Sequence, residues 1–202
     1  MEKTKRYGIY GGSFDPIHIG HVALAESAVR ECGLDKLIFM PAYISPFKQD
    51  RQVTGGTDRC GMIETVLKTN SAFCLSRYEL NREGPSYTIE TLRHWKKLLD
   101  GELYFVLGFD STVQLDKWYQ GEEILKNYHL VTAKRPDTDY SEGIKTIEMY
   151  REKYGADITI LNMAPVDASS TEVRNLVKEG KPITGLVPPG VEEYIIEHRL
   201  YK

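Results

Sequence analysis

The stretch from Tyr7 to Ala28 constrains the fold more than any other part of the sequence. It starts with a short apolar run, passes through Gly11 and Gly12, and turns at Asp15-Pro16. After the turn, apolar residues recur three to four positions apart, a spacing that places them on one face of a helix. The order of these features predicts a strand, a glycine loop and a helix.

The two glycines and the start of the helix predict a place for a phosphate group. Gly11 and Gly12 lack the Cβ atoms that would keep a bulky polyanion from the backbone, and the helix offers unpaired N–H groups and the positive end of its dipole. His18 and His21 are three residues apart, so both imidazoles can reach one ligand from the first helical turn. Taken singly, a glycine pair is usually only a turn. Two histidines can also begin a zinc site, but no Cys or His cluster follows to complete it, so we predict no metal site.

The composition fits one domain that binds neither nucleic acid nor a membrane. With 202 residues, 41% of them hydrophobic, the chain can bury one core and needs no second domain. A net charge of −3 gives no general attraction for nucleic acid, and no apolar run approaches the ~20 residues of a membrane span. Cys32, Cys60 and Cys74 are odd in number and far apart, which favours free thiols in a reducing cytosol. We therefore expect one cytoplasmic domain over residues 1–202.

Strand and helix patterns alternate along the rest of the chain. Short apolar runs predict five further strands, at 37–40, 73–75 with a continuation toward 78–80, 103–107, 130–133 and 158–161. This alternation predicts an α/β fold with a Rossmann-like, doubly wound parallel sheet, in which ligands bind beyond the carboxyl ends of the strands. The candidate site residues all follow predicted strand ends. They are Gly11 and Gly12, Lys48, Asp110, Arg135, and Ser169 with Ser170.

Two serines are predicted to begin helices. Ser86 is the predicted N-cap of a helix with apolar residues from Ile89 to Leu99, and Ser169 with Glu172 has capping-box spacing. Hydroxyl and free N–H groups converge at such a helix start, which suits a carboxylate or a phosphate. On spacing alone simple capping is the favoured explanation for Ser86, and capping can also explain Ser169.

One string of residues resembles a known signature. GGSFDPIHIGH, residues 11–21, resembles the histidine motif of the nucleotidyltransferases related in fold to class I aminoacyl-tRNA synthetases, where it holds the phosphates of ATP. Four later features narrow the resemblance to the bacterial nicotinate-nucleotide adenylyltransferases, and it runs nearly end to end. They are SYTIETL from Ser86, Gly108 with Asp110, Trp118, and SSTEVR from Ser169 to Arg174.

The resemblance implies a reaction and a set of site residues. The reaction is transfer of AMP from ATP, bound with Mg²⁺, to nicotinate mononucleotide, with release of pyrophosphate. The residues implied to be catalytic are His18, His21, Asp110 and Arg174. Those implied to bind ATP and its phosphates are Gly11, Gly12, Ser13, Phe14, Lys48, Arg135, Ser169, Ser170 and Thr171. Those implied to bind nicotinate are Ser86, Tyr87, Thr88, Gly108 and Trp118, the last by stacking on the pyridine ring.

Other functions stay open at this level. A sister enzyme could share the histidine motif and use another phosphate acceptor, such as nicotinamide mononucleotide or pantetheine phosphate. A nucleotide-binding module without activity would need the glycines and helix starts, but not both histidines together with Arg174. The related enzymes typically carry histidine where this chain has Phe47, so the resemblance implies no role for that position and leaves it open. A homo-oligomer is also left open.

Overall fold

The computed structural model describes residues 4–44, 53–82, 84–134, 140–164 and 166–202. Within these ranges strands and helices alternate. The strands are β1 Arg6–Gly12, β2 Lys36–Pro41, β3 Phe73–Leu75, β4 Glu102–Val106, β5 His129–Ala133 and β6 Ile158–Leu161. The helices are α1 Ile19–Cys32, α2 Gly56–Leu67, α3 Thr88–Leu98, α4 Phe109–Thr112, α5 Gly121–Asn127, α6 Ser141–Tyr154, α7 Ser170–Lys178 and α8 Pro189–Glu197.

The strands form one parallel sheet in the order β3-β2-β1-β4-β5-β6. Chain order runs outward from the central pair β1 and β4 in both directions, so the direction of winding reverses between these two strands. This is the doubly wound arrangement that leaves a crevice at the carboxyl ends of the central strands. The predicted fold class is confirmed.

The core has two layers because successive strand residues point to opposite faces of the sheet. On one face, Tyr10 and Val106 belong to a buried cluster that also contains apolar residues of α1, α2 and α8. On the other face, Ile9 and Phe105 belong to a cluster with apolar residues of α3, α5 and α6. The alternation of short apolar runs and helical periodicity therefore buries both faces of the sheet.

Three local predictions are wrong. Gly11 and Gly12 do not form a loop, because they pair with Met40 and Pro41 as the last residues of β1. The third strand ends at Leu75 and residues 78–80 form a turn, in which the N–H of residue 81 bonds back to the carbonyl of residue 77. The N-cap of α3 is Tyr87, one residue beyond the serine that the sequence favours.

No helix in the described ranges combines the length and the apolar composition that a membrane span requires.

Candidate active site

A pocket of about 330 Å³ lies at the carboxyl ends of the central strands. It is lined by eight of the residues that the sequence analysis names: Gly11, Gly12, Ser13, Ser86, Tyr87, Thr88, Asp110 and Trp118. Three residues implied to bind phosphates, at the end of β1, thus meet four of those implied to bind nicotinate around one cavity. His18 and His21 are not among the lining residues. Gly108, the N-cap of α4, is not among the lining residues.

The glycines at the end of β1 line the pocket with backbone alone, because they have no side chains. A Cβ atom on Gly12 would lie 3.0 Å from the ring of Phe14, closer than side chains normally approach. Phe14 is only 2% exposed and its ring packs edge-on to Tyr10, so its side chain belongs to the core. Its backbone has a φ of +49°, a strained conformation of the kind often found at functional loops. The loop that follows β1 therefore turns sharply over a buried aromatic ring.

His18 and His21 share a face of the first turn of α1, as predicted. His18 is the N-cap and is buried, and the centroids of the two rings lie 3.7 Å apart. The backbone N–H of His18 donates to Nδ1 of His21 over 3.2 Å. A neutral His21 that accepts at Nδ1 carries its proton on Nε2, so it presents a donor there. The ring of Phe14 packs against His21 and limits its rotation.

The start of α7 packs against the loop after β1. Ser169 is the N-cap of α7 and accepts from the N–H of Glu172 over 3.1 Å, as predicted. The hydroxyl of Ser170 donates to the backbone carbonyl of Pro16 over 2.9 Å, and Nη1 of Arg174 donates to that of Asp15 over 2.6 Å. A second nitrogen of Arg174 donates to the hydroxyl of Thr171 over 3.1 Å. These residues lie beside the histidine motif, outside the lining of the pocket.

At the other end of the pocket, the hydroxyl of Ser86 is engaged by the protein. It accepts from the N–H of Tyr43 over 3.0 Å and also hydrogen bonds to the carboxyl of Glu79. α3 begins at Thr88, and the N–H of Glu90 donates to the carbonyl of Tyr87. Within the first turn, the N–H groups of Thr88 and Ile89 therefore have no acceptor in the helix. A carboxylate in the pocket would therefore meet backbone N–H groups of α3 rather than the serine hydroxyl.

Trp118 follows a 3₁₀ turn over Leu115–Lys117, and its backbone N–H donates to the carbonyl of Leu115 over 3.1 Å. The indole is partly buried against the core cluster behind the sheet and lines the pocket. Next to it, the ring of Tyr119 packs against that of Tyr87 at a centroid distance of 4.6 Å. Aromatic side chains thus form the wall opposite the glycines.

Glu79 is a pocket residue that the sequence analysis missed. It is only 7% exposed, and the hydroxyl of Thr91 donates to its Oε1 over 2.6 Å. Burial raises the pKa of Glu79, and the hydrogen bonds from Thr91 and Ser86 partly oppose that rise. The one available signal in the sequence was an acidic residue between two apolar ones. That pattern is equally typical of an exposed position in a strand.

Arg59 is a second residue that the sequence analysis missed. It is 2% exposed, and its guanidinium donates to three backbone carbonyls, those of Ser13, Ala42 and Thr54, each over 2.8 Å. Burial lowers the pKa of Arg59 and the charge of Asp15 raises it. Arg59 therefore joins the loop after β1 to the segments that leave β2 and enter α2.

Some predictions fall elsewhere. Lys48, Arg135 and Phe47 lie outside the described residues. Among the described residues, no three His, Cys, Asp or Glu side chains are grouped so that they could hold a metal ion.

Comparison with known proteins identifies the family. Residues 9–176 match the family described as cytidylyltransferase-like. The chain is 39% identical over 198 residues to the "Probable nicotinate-nucleotide adenylyltransferase" of Clostridium botulinum (strain Alaska E43 / Type E3), covering 98% of each chain. It is also 39% identical over 204 residues to the protein of the same name from Thermoanaerobacter sp. (strain X514), covering 100% of this chain and 97% of the relative.

Solved structures show the same fold. The nicotinic acid mononucleotide adenylyltransferase of Plasmodium falciparum, complexed with NaAD, superposes with a TM-score of 0.78 at 22% identity, over 98% of this chain and 97% of that one. A putative nicotinate-nucleotide adenylyltransferase from Vibrio parahaemolyticus gives a TM-score of 0.68 at 20% identity, over 98% and 95%. From the full-length identity to its relatives and the shared fold, this chain belongs to the nicotinate-nucleotide adenylyltransferase family.

Proposed function

We propose that this protein transfers AMP from ATP to the 5′-phosphate of nicotinate mononucleotide, which forms nicotinate adenine dinucleotide and releases pyrophosphate. One observation carries the proposal: the end of the glycine strand, the start of α3 and Trp118 line a single pocket. The relatives named for this activity match nearly the whole chain, which supports it.

The reaction needs no nucleophilic side chain. A phosphate oxygen of nicotinate mononucleotide attacks the α-phosphorus of ATP in line, and the bond to the β-phosphate oxygen breaks, so that pyrophosphate leaves with its electron pair. The protein then contributes position and stabilisation of charge. In our proposal His18 and His21 donate to phosphate oxygens, and Arg174, with Lys48, neutralises the triphosphate. Asp110, in the first turn of α4, lines the pocket, and in our proposal it faces the substrates there.

ATP enters with a divalent cation, which we propose is Mg²⁺. The cation neutralises part of the phosphate charge. Phosphate oxygens and water supply its usual ligands, so the reaction requires no cage of protein carboxylates. The residues of this chain would hold the complex through its phosphates.

At the ring end, backbone N–H groups in the first turn of α3 would receive the nicotinate carboxylate. Trp118 would stack on the pyridinium ring, which suits a flat cation. Ser86 acts indirectly in this proposal, since its hydroxyl bonds to Glu79 and to the N–H of Tyr43.

The setting of the reaction is also a proposal. We propose that residues 1–202 work as one domain in the cytoplasm, without nucleic acid. The single sheet supports one domain, and the free thiols of all three cysteines suit a reducing compartment.

The test is pyrophosphate release by the purified protein with Mg-ATP and one acceptor per reaction: nicotinate mononucleotide, nicotinamide mononucleotide or phosphopantetheine. Strong release with the first alone supports both the reaction and the acceptor. Release with another acceptor alone keeps the phosphate chemistry and contradicts the ring site. ATP binding without release in any reaction would favour a nucleotide-binding module.

A further inference from the structure

The loop after β1, residues 13–16, is fixed by side chains from two helices. Its carbonyl oxygens at Ser13, Asp15 and Pro16 accept hydrogen bonds from Arg59 of α2 and from Arg174 and Ser170 of α7. These three contacts hold the backbone that leads from the glycines to His18. The position of the histidine motif therefore depends on groups that lie far away in the sequence.

The side chain of Asp15 has a separate set of partners. It is only 7% exposed, and its Oδ1 accepts from the hydroxyl of Tyr201 over 2.8 Å. Its Oδ2 lies 3.5 Å from the N–H of Thr54, and the buried guanidinium of Arg59 is near enough for its pKa to respond to the charge of Asp15. Tyr201 follows α8 and is 186 residues away from Asp15 along the chain.

A carboxylate at this place needs compensation. It belongs to the loop that we propose binds a triphosphate, and two like charges in a poorly solvated site repel each other strongly. Arg59 and the hydroxyl of Tyr201 supply the compensation. Burial and the charge of Asp15 both raise the pKa of Tyr201, so the hydroxyl keeps its proton and remains a donor across the physiological range.

We infer that Tyr201 is a positioning residue for the ATP site: its hydroxyl holds the carboxylate of Asp15, and through it the loop 13–16, in the conformation that accepts the triphosphate. The inference rests on the proposed function in one respect, that ATP is the ligand of this loop. It assigns Tyr201 no contact with substrate.

The first variant is Tyr201→Phe, which removes one oxygen and keeps the ring. The matched control is Tyr194→Phe, because Tyr194 lies in α8 and its hydroxyl donates to another acidic residue, Asp58 of α2, over 3.3 Å. We expect Tyr201→Phe to weaken Mg-ATP binding about tenfold, the usual scale for a hydrogen bond to a buried charged group. We expect KM for nicotinate mononucleotide to stay within twofold, and the control to bind ATP normally.

A double-mutant cycle with Asp15→Ala tests whether the effect passes through that carboxylate. If it does, adding Tyr201→Phe to Asp15→Ala changes ATP affinity by less than twofold, because the hydroxyl of Tyr201 has already lost its acceptor at Oδ1. Hydrogen exchange without ATP gives a second readout. Amides of residues 14, 15 and 17–19 should exchange faster in Tyr201→Phe than in the wild type, while amides of β4 should not.

Several outcomes would overturn the inference. The first is normal ATP affinity in Tyr201→Phe, and the second is independent effects of the two substitutions in the cycle. The third is that Tyr201→Phe and the control Tyr194→Phe lose ATP affinity in the same proportion to the melting temperature that each loses. Failure of the proposed function looks different. The wild type would then bind Mg-ATP in calorimetry but release no pyrophosphate with nicotinate mononucleotide, and the ratio of ATP affinities between the variants would still decide the role of Tyr201.

Discussion

The backbone N–H of His18 donates to Nδ1 of His21 over 3.2 Å, and the two imidazole rings lie with their centroids 3.7 Å apart and their planes tilted by 32°. The peptide of one histidine thus sets the tautomer of the other. Nδ1 of His21 is occupied from within the motif, and its proton is directed to Nε2. The spacing of three residues provides both an aligned pair and a defined donor.

Replacing His21 by Ala should lower the rate of pyrophosphate release at least ~100-fold, equivalent to ~2.7 kcal/mol of transition-state stabilisation. In our proposal His21 donates to the charge that develops on the phosphates, and alanine removes that donor. His21→Gln, whose amide can donate from a similar distance, should recover part of the rate. His198→Ala is the control, since that exposed ring stacks on Tyr194 far from the motif. Near-normal turnover in a folded His21→Ala protein would remove His21 from the mechanism.

Trp118→Ala should raise KM for nicotinate mononucleotide about tenfold, the effect of losing a stacking and cation–π contact worth ~1–2 kcal/mol. Mg-ATP binding should stay unchanged. Trp118→Phe, which keeps an aromatic face, should fall between the wild type and the alanine variant. A steady-state series with each substrate varied in turn measures this, and an equal rise in both KM values would count against a ring-specific role.

Glu79→Gln should change the dependence of stability on pH. A carboxyl whose pKa is raised in the folded state stabilises the protein below its ordinary value of about 4.5 and loses that contribution as pH rises through the folded pKa. Glutamine does not titrate, so the variant lacks this fall. We expect urea unfolding at pH 5 and pH 8 to show that the free energy of unfolding of the variant, relative to that of the wild type, is higher at pH 8. An identical difference at both pH values would show that Glu79 has an ordinary pKa.

Arg59→Met should lower the free energy of unfolding by about 3–5 kcal/mol, because it strips three carbonyls of their donor and removes the positive charge near the buried carboxylate of Asp15. Arg59→Lys keeps the charge but cannot span three acceptors, so we expect an intermediate loss. Arg30→Met is a suitable control, since the side chain of Arg30 is 63% exposed in its ion pair with Glu31. Denaturant titration measures all three. A loss in Arg59→Met no larger than in the control would show that the carbonyls find water instead.

Chelation of divalent cations should abolish pyrophosphate release without lowering the melting temperature. No three His, Cys, Asp or Glu side chains of the described residues are grouped to hold a metal ion, and we therefore expect the melting temperature to be independent of the cation. Activity assays and thermal unfolding with and without EDTA give both readouts. A marked fall in melting temperature would reveal a structural metal.

The sheet was predictable because each strand carries its own signal. Apolar runs such as residues 37–40 have no polar side to expose, so they fit only a buried parallel strand. The predicted capping contact of Ser169 is confirmed for a similar reason, since it spans three residues. The N-cap of α3 was missed by one residue because Ser86 is held instead by Tyr43 and Glu79, which the fold brings from other segments.

The supports of the site could not be read from the sequence. Arg59 looks like one more charged residue on a helix until the fold places three carbonyls around it. Tyr201 and Asp15 meet across 186 residues, and no local pattern encodes such a pair. Arg174 reads as a phosphate ligand, yet its contact with the carbonyl of Asp15 appears only when α7 is docked. Short-range periodicity in the sequence predicts individual helices and strands, whereas these contacts depend on how the helices and strands pack together.

The pocket draws its two ends from segments that share no residues. The glycines that end β1 form one end, and the start of α3 with Trp118 forms the other, on the far side of the point where the winding reverses. In our proposal the ring of the acceptor lies at the second end, so we expect substitutions at residues 84–88 and 118 to alter which acceptor fits and to leave adenylyl transfer itself intact. Such separation lets a single scaffold diversify its acceptor through a few positions, and it marks those positions as the ones to randomise when selecting for a new dinucleotide product.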